Sequence, residues 1–198
     1  MKTIEIIGYQ RANLGKTEAK KIRDKSSVPC VLYGGREQVH FESPMILFRD
    51  LVYSPEAAFV KLNIEGAEYR AILQDIQFHP VSEMILHADF LELNESKPIK
   101  MDIPVKFHGN SPGVQRGGRL QVKTSRVKVK ALPANMPESI DVDISQLDLG
   151  KSVRISDLAI SNYTILDNPR LTLASVNIPR GLKGTAEEGG AGEAPSGQ

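Results

Sequence analysis

The feature that most constrains the fold of this chain is the alternation of apolar and polar residues with period two. It runs through short segments such as TIEIIGY (3–9), AFVKLNI (58–64) and YRAILQDIQF (69–78). Successive side chains of a strand point to opposite faces, so this pattern predicts strands with one buried and one solvated face. No long helical pattern is present. The sequence therefore predicts a mainly β protein.

The first ninety-odd residues add ILHADFLEL (85–93) as a further strand, with Glu65-Gly66 as a tight turn between two strands. KTEAKKIRDK (16–25) contains good helix formers and predicts a short helix. SPMILFRDLVY (43–53) predicts a second one, with Ser43 as N-cap and Pro44 in the first helical position. Together these elements predict a closed or nearly closed β-structure that carries small helices.

A polar, turn-forming stretch, NESKPI (94–99), interrupts the pattern and predicts a domain boundary. Strand patterns resume beyond it and are separated by turn clusters such as GNSPG and PANMPE. The last residues are rich in Gly, Glu and Ala and cannot bury enough apolar surface to order themselves. We therefore expect a first domain over 1–94, an all-β domain over 95–180 and a disordered tail over 181–198.

Charge is distributed unevenly, although the net formal charge is only +1. Residues 1–36 carry eight Lys/Arg against three Asp/Glu, whereas residues 37–94 carry three against ten. Such a chain can present a strongly basic face despite its neutral average.

Composition excludes several other classes of protein. No apolar stretch approaches the roughly 20 residues that a transmembrane helix needs. The N-terminus has no signal-peptide core, and the single cysteine, Cys30, lies in the apolar run VPCVLYG, where it is expected to be a buried hydrophobe. We expect a cytoplasmic protein with no membrane partner.

The segment DIQFHPVSEMILHADF (75–90) holds two of the four histidines and allows several kinds of site. A metal site lacks a convergent set of three or four His, Cys or acidic ligands. Catalysis by His87 and Asp89, which share a strand face, lacks a nucleophile or a phosphate-binding loop. We therefore expect no metal, no cofactor, no small-molecule substrate and no enzymatic activity. A merely solvated sheet face remains an alternative.

The basic segment RANLGKTEAKKIRDK (11–25) predicts a phosphate-binding surface. Lys16, Lys20 and Arg23 fall on one face of a helix, with Arg11 beside them at the end of the preceding strand. Tyr33, followed by two glycines, can stack on an unpaired base. These features favour RNA over DNA, since no motif for a DNA major groove is present. A second basic stretch over 116–130 is expected to have one wet and one buried face, and RNA, a protein or solvent could each contact the wet one.

The order of R-x4-GK, KKIR, VPCVLYGG, QDIQFHP and HADF resembles the bacterial ribosomal protein family that binds 5S rRNA, number twenty-five of the large subunit. It is most similar to the long, CTC-type or general-stress form, with IPVKFHGNSPGVQRGGRL supporting the second half. The resemblance implies an N-terminal β-barrel on 5S rRNA and a C-terminal β-domain that reaches neighbouring ribosomal proteins and rRNA. The short, glycine-rich tail departs from the long acidic tails of many long forms.

Carried over residue by residue, the resemblance implies RNA contacts by eight side chains. These are Arg11, Lys16, Lys20, Arg23, Tyr33, Gln77, His87 and Asp89. His87 and Asp89 would read bases or riboses by hydrogen bonds, whereas His79 would shape the turn or lie at the rim. The alternative from a different class is a two-domain protein-binding adaptor that acts in the stress response.

Overall fold

The structure is a computed structural model that describes residues 1–158 and 162–179, and within these ranges the protein is mainly β, as the sequence predicts. The tail predicted over 181–198 lies outside the described residues. The chain divides into two compact units. One contains residues 1–104, 128–139 and 162–165, and the other contains the remaining described residues.

Six strands of the first unit close into a barrel in the order β1-β3-β2-β6-β5-β4. Their bounds are β1 Lys2–Gln10, β2 Ser27–Tyr33, β3 Val39–Pro44, β4 Ala58–Ile64, β5 Ala67–Phe78 and β6 Ile85–Glu92. The barrel closes through parallel pairing of β1 with β4, from Lys2 opposite Ala58 to Gly8 opposite Ile64. β2 and β6 are also parallel.

The interior of the barrel is a packed aromatic and aliphatic core. The rings of Phe41 and Phe48 lie 5.8 Å and 6.2 Å, centroid to centroid, from the ring of Phe90, and all three side chains are fully buried. Cys30 points into the same core, which confirms that it is a buried small hydrophobe. The strands are therefore fixed in register by their inward-facing residues.

Two local features of the barrel test the predicted turn and helices. Glu65 and Gly66 both have positive φ, 50° and 93°, and Ile64 pairs with Ala67, so the predicted tight turn is confirmed. The first predicted helix forms as α1 (Lys16–Asp24). It packs against β2, and its Ile22 is buried.

The helix predicted over 43–53 forms only in part, as two short helical segments over 45–52 rather than as one helix capped by Ser43. The chain continues as β3 through Pro44, then forms a 3₁₀ helix (Met45–Phe48) and one turn of α-helix, α2 (Arg49–Val52). Ser43 does not cap a helix, because its buried hydroxyl donates to the carbonyl of Ile7 on the neighbouring strand, β1, at 2.8 Å. Cross-strand hydrogen bonding thus prevails over the local capping signal.

The second half of the chain is again built from strands. Their bounds are β7 Ile99–His108, β8 Arg119–Val122, β9 Arg126–Ala131, β10 Ile140–Asp143, β11 Ser152–Arg154, β12 Thr164–Ile165 and β13 Thr172–Asn177. One short helix, α3 (Pro112–Gln115), follows β7. Among the described residues these strands form a four-stranded and a three-stranded sheet, the latter in the order β11-β13-β8.

The basic stretch over 116–130 confirms its predicted alternation on β9. Val127 and Val129 are buried, whereas Arg126, Lys128 and Lys130 are exposed on the opposite face. On β8 the alternation is weaker, because Val122 is about half exposed.

Candidate nucleic-acid interface

The outward face of β2, β5 and β6 carries the predicted base-reading residues. Gln77 on β5 pairs directly with His87 on β6, and Asp89 lies beside Val31 on β2. Paired residues of neighbouring strands point to the same side of the sheet, and their immediate neighbours point inward. Tyr33 shares the outward side with Val31, two residues before it, so four predicted residues lie on one face.

His87 and Asp89 form the closest contact on this face. The Nδ1 atom of His87 lies 2.7 Å from Oδ1 of Asp89, and each side chain is about one third exposed. Oδ1 is shielded from solvent and has no hydrogen-bond partner among the described residues apart from this contact. A carboxylate oxygen has two lone pairs, and one imidazole nitrogen can occupy only one of them. Asp89 thus keeps an unused acceptor position.

A second carboxylate lies opposite the first. Asp75 on β5 is the register partner of Asp89 on β6, and its Oδ1 accepts the backbone N–H of Ile76 at 2.9 Å. Like charges directly opposite one another destabilise a sheet. Sequence reasoning did not include Asp75 in the site. The sequence does contain a signal for it, because Asp75 lies two residues before Gln77 and therefore on the same strand face.

Electrostatic effects on two neighbouring groups show that Tyr33, Asp75, Asp89 and Arg11 lie close together. Burial raises the pKa of the Tyr33 phenol, and the Asp89 and Asp75 carboxylates raise it further. Burial also raises the pKa of the Cys30 thiol, with Asp89 adding to the shift and Arg11 opposing it. The tyrosine and the carboxylates therefore share one electrostatic environment, with the Arg11 guanidinium nearby.

Arg11 follows β1, and its backbone N–H donates to the carbonyl of His40 at 3.0 Å. Its side chain is half-buried. Among the described residues Nε has no hydrogen-bond partner, and one terminal nitrogen makes only a long contact, 3.5 Å, with the carbonyl of Asn13. The guanidinium thus retains donors for an anionic ligand.

Helix α1 presents the predicted cations. Lys16 and Lys20 are exposed and make no ion pair with any described residue. Lys21, next to Lys20 in sequence, instead pairs with Glu18 at 2.8 Å, and this hydrogen bond lowers the pKa of the Glu18 carboxyl. Of the three lysines of the helix, two therefore have no ion pair with a described residue and one is partly neutralised.

Arg23 has a role that the sequence did not predict. Its Nε donates to the carbonyl of Leu86 on β6 at 3.0 Å, which ties the end of α1 to the strand that carries His87. The side chain is half-buried, and the two terminal nitrogens of the guanidinium remain available as hydrogen-bond donors to a ligand. Arg23 thus fixes the basic helix beside the base-reading face.

His79 shapes the turn between β5 and β6, as one of its two predicted roles required. Its Nδ1 accepts the backbone N–H groups of Val81 and Ser82 at 3.3 Å and 3.2 Å. Its backbone N–H donates to the carbonyl of Met84, and its carbonyl accepts the N–H of Glu83.

Among the described residues no cluster of three or more His, Cys, Asp or Glu is arranged to hold a metal ion. In the same part of the chain, no helix has the length and apolar content needed to cross a bilayer.

Comparison with known protein families covers both halves of the chain. The Ribosomal L25p family matches residues 6–90, and the family of the C-terminal domain of ribosomal protein TL5 matches residues 98–180. The first match covers most of the barrel with α1, and the second contains the strands from β7 onward. The two matched segments meet near the predicted boundary, although they do not decide its position.

Full-length relatives agree with the family matches. The large ribosomal subunit protein bL25 of Cytophaga hutchinsonii is 54% identical over 183 residues, 92% of this chain and 95% of its own. That of Amoebophilus asiaticus is 55% identical over 194 residues, 98% and 99% of the two chains. That of Porphyromonas gingivalis is 41% identical over 188 residues, 94% and 98% of the two chains.

The barrel with its basic helix, together with these relatives, defines a ribosomal protein of the large subunit. The chain belongs to the bL25 family, in the long form that carries a TL5-type C-terminal domain. The resemblance inferred from the sequence is confirmed at the level of the family. Each of these relatives is named as a protein of the large ribosomal subunit.

Proposed function

We propose that the protein is a non-catalytic constituent of the large ribosomal subunit that binds 5S rRNA through its N-terminal domain, residues 1–94. Residues 95–180 form a second domain that contacts neighbouring ribosomal proteins and rRNA. The protein acts in the cytoplasm as part of the ribosome and needs neither a cofactor nor a small-molecule substrate.

The observation that carries this proposal is the unused acceptor of Asp89. A carboxylate oxygen that is shielded from water, faces a second carboxylate and has no partner among the described residues apart from the His87 imidazole is costly in the isolated protein. A base amino or imino group would satisfy it. A phosphate would not, because two anions repel. Asp89 therefore selects a neutral hydrogen-bond donor, on a base edge or a ribose, rather than a phosphate.

Gln77, His87 and Tyr33 complete the base-reading part of the proposed site. Gln77 and His87 are register partners and can each donate or accept a hydrogen bond at the same place on the surface. Tyr33 ends β2 next to Gly34, whose φ of 95° lets the chain turn away, and the tyrosine is only half-buried. Unpaired or splayed bases of RNA are recognised by this combination of stacking and edge contacts.

Arg11, Lys16, Lys20 and Arg23 supply the electrostatic part of the proposed site. Phosphate contacts position an RNA without reading its sequence, whereas base contacts provide specificity. Lys16 and Lys20 have no competing acid among the described residues, so binding releases counterions without first breaking an ion pair. The two sets of side chains thus have separable roles.

A titration of purified 5S rRNA and a same-length control RNA across a salt series tests the proposal. We expect selective binding to 5S rRNA, with a log–log slope of roughly −3 to −5 if four or five cations each displace about one counterion. Weak binding that does not distinguish the RNAs, with a shallow slope and no co-sedimentation with large subunits, would contradict the proposal. That result would favour a protein-binding adaptor.

A further inference from the structure

A second surface of the barrel domain is an apolar groove that the proposed RNA site does not use. The groove has a volume of about 570 Å³ and lies between the end of α1, the 3₁₀ helix with α2, and the turn before β6. Met45, Ile46 and Tyr53 provide its apolar wall. It opens at the start of β2, whereas Tyr33 ends that strand, roughly 20 Å away for seven extended residues.

The apolar side chains that form the wall of the groove are unusually exposed to solvent. Ile46 is 70% exposed and Tyr53 is 68% exposed, and Val81 and Met84 add apolar surface in the adjoining β5–β6 turn. Contiguous exposed apolar surface marks an interaction site more often than isolated exposed residues do. Arg, Tyr and Met, all present here, are residue types enriched at protein–protein interfaces.

The backbone on two sides of the groove is held in an unusual conformation. Ser26 and Glu83 line it with φ of 58° and 56°, a region that is unfavourable for residues other than glycine. Ser26 is held by the bond from its N–H to the carbonyl of Arg23 and by its carbonyl, which accepts the N–H of Met45. Glu83 donates to the carbonyl of His79. Disfavoured backbone conformations of this kind persist where the surroundings enforce them, and they cluster at binding sites.

Charge at the rim of the groove indicates what it would accept. Lys25 and Arg49 both line it, and neither makes an ion pair with a described residue. Glu83 is the one acidic residue among the lining residues, which all belong to the described part of the chain. The rim is therefore net positive around an apolar floor.

We propose that this groove docks a protein segment in which an apolar or aromatic side chain is flanked by carboxylates. The apolar side chain packs between Met45, Ile46 and Tyr53, and the carboxylates pair with Lys25 and Arg49. An RNA strand fits less well, because Met45 and Ile46 offer no hydrogen bonds to bases or riboses and Glu83 repels phosphate. The partner is thus a second macromolecule that can bind while the β2, β5 and β6 face holds RNA.

Photo-crosslinking inside assembled large subunits tests this proposal. The full chain with Ile46→benzoylphenylalanine is incorporated into subunits and irradiated, with Val122→benzoylphenylalanine, an exposed position on β8, as the matched control. We expect a protein adduct from position 46 that maps to a segment with carboxylates beside the crosslinked apolar residue, and a different segment or rRNA from position 122, which lies in the second domain. From position 46, an adduct with rRNA, no adduct above the control, or a segment without carboxylates would overturn the proposal.

A peptide with the sequence of the crosslinked segment then tests the contacts. We expect Arg49→Ala to weaken its binding to the full chain about two- to fivefold, as for other exposed charge pairs. Lys100→Ala, an exposed cation on β7, is expected to leave binding unchanged. Unchanged peptide affinity for Arg49→Ala would also overturn the proposal. Ile46→Ser and Arg49→Ala should both keep wild-type affinity for 5S rRNA, so the groove and the RNA site can fail independently.

Discussion

His87 and Asp89 lie on the same face of β6 with Nδ1 and Oδ1 2.7 Å apart, and the aspartate oxygen has no other partner among the described residues. The contact orients both side chains, since each limits the rotamers of the other. It also leaves an acceptor available for a ligand. The pair is therefore preorganised but incomplete in the isolated protein, as a recognition site should be.

Replacing Asp89 should reduce specificity more than affinity. We expect Asp89→Ala to lower the preference for 5S rRNA over a same-length control RNA by about ten- to one-hundredfold, because a base donor loses its charged acceptor. Affinity for the control RNA should change little. Filter binding with both RNAs measures the ratio, and Glu95→Ala, an exposed acid outside the face, provides the control. An unchanged ratio for Asp89→Ala would remove its role in base recognition.

Two adjacent lysines of α1 provide a matched test of the electrostatic part. Lys20→Ala should weaken binding to both RNAs about equally and reduce the magnitude of the log–log salt slope by about 1. Lys21→Ala should have a smaller effect on the slope, because Lys21 is already paired with Glu18 at 2.8 Å. Affinity titrations at several salt concentrations give both slopes. If Lys20→Ala mainly altered the preference between RNAs, the proposed division between phosphate and base contacts would be wrong.

The thiol of Cys30 should be unreactive in the folded protein. Its side chain is fully buried in the barrel core, and burial raises the pKa of the thiol, so both access and thiolate formation are suppressed. We expect an aromatic disulfide reagent at mildly alkaline pH to react about 100-fold or more slowly with native protein than with denatured protein. The absorbance of the released thiolate measures the rate. Rapid reaction of native protein would show that β2 opens readily.

Stability of the second unit should decline in acid. Asp148 accepts the N–H of Leu149 and pairs with Arg116 at 3.0 Å, and these contacts hold the pKa of its carboxyl below the usual 3.8. The backbone N–H of Arg154 likewise lowers the pKa of the Asp157 carboxyl, and the hydroxyl and then the backbone N–H of Ser145 lower the pKa of the Asp143 carboxyl. Because the folded-state pKa values are depressed, this stabilisation is present above pH 3.8 and is lost as pH falls through the folded values.

We therefore expect the Tm of the full chain to fall in this acidic range, and Asp148→Asn to show a shallower decline with a slightly lower Tm at neutral pH. Differential scanning calorimetry across the acidic range measures both profiles. Parallel profiles for the two proteins would mean that Asp148 does not contribute to the acid sensitivity.

Strand patterns with clear alternation were predictable from the sequence, and those that depend on long-range pairing were not. The strand predicted over 58–64 has the bounds of β4, since its alternation reports one buried face directly. β2 was recognised only as an apolar run, because five consecutive buried residues, Val28 to Leu32, leave no alternation to detect. α1 packs against part of its outer face and leaves Tyr33, at the end of the strand, half-buried, which a local pattern does not reveal.

Site residues show the same division. Spacing of two predicted that His87 and Asp89 share a face, and helical spacing predicted the exposed lysines of α1. The pairing of Asp75 with Asp89 depends on the register between β5 and β6, which includes an irregularity between Leu73 and Asp75. The bond from Arg23 to Leu86 joins residues 63 positions apart, so no local rule could have found it.

The most direct test of the proposed RNA-binding face is an amide chemical-shift map of the isotope-labelled full chain on addition of 5S rRNA. We predict the largest changes at Tyr33, Gln77, His87 and Asp89 and along α1, with little change at Val122 and Val176 in the three-stranded sheet. Changes concentrated in the basic stretch over 116–130, with the β2, β5 and β6 face unaffected, would contradict the proposal.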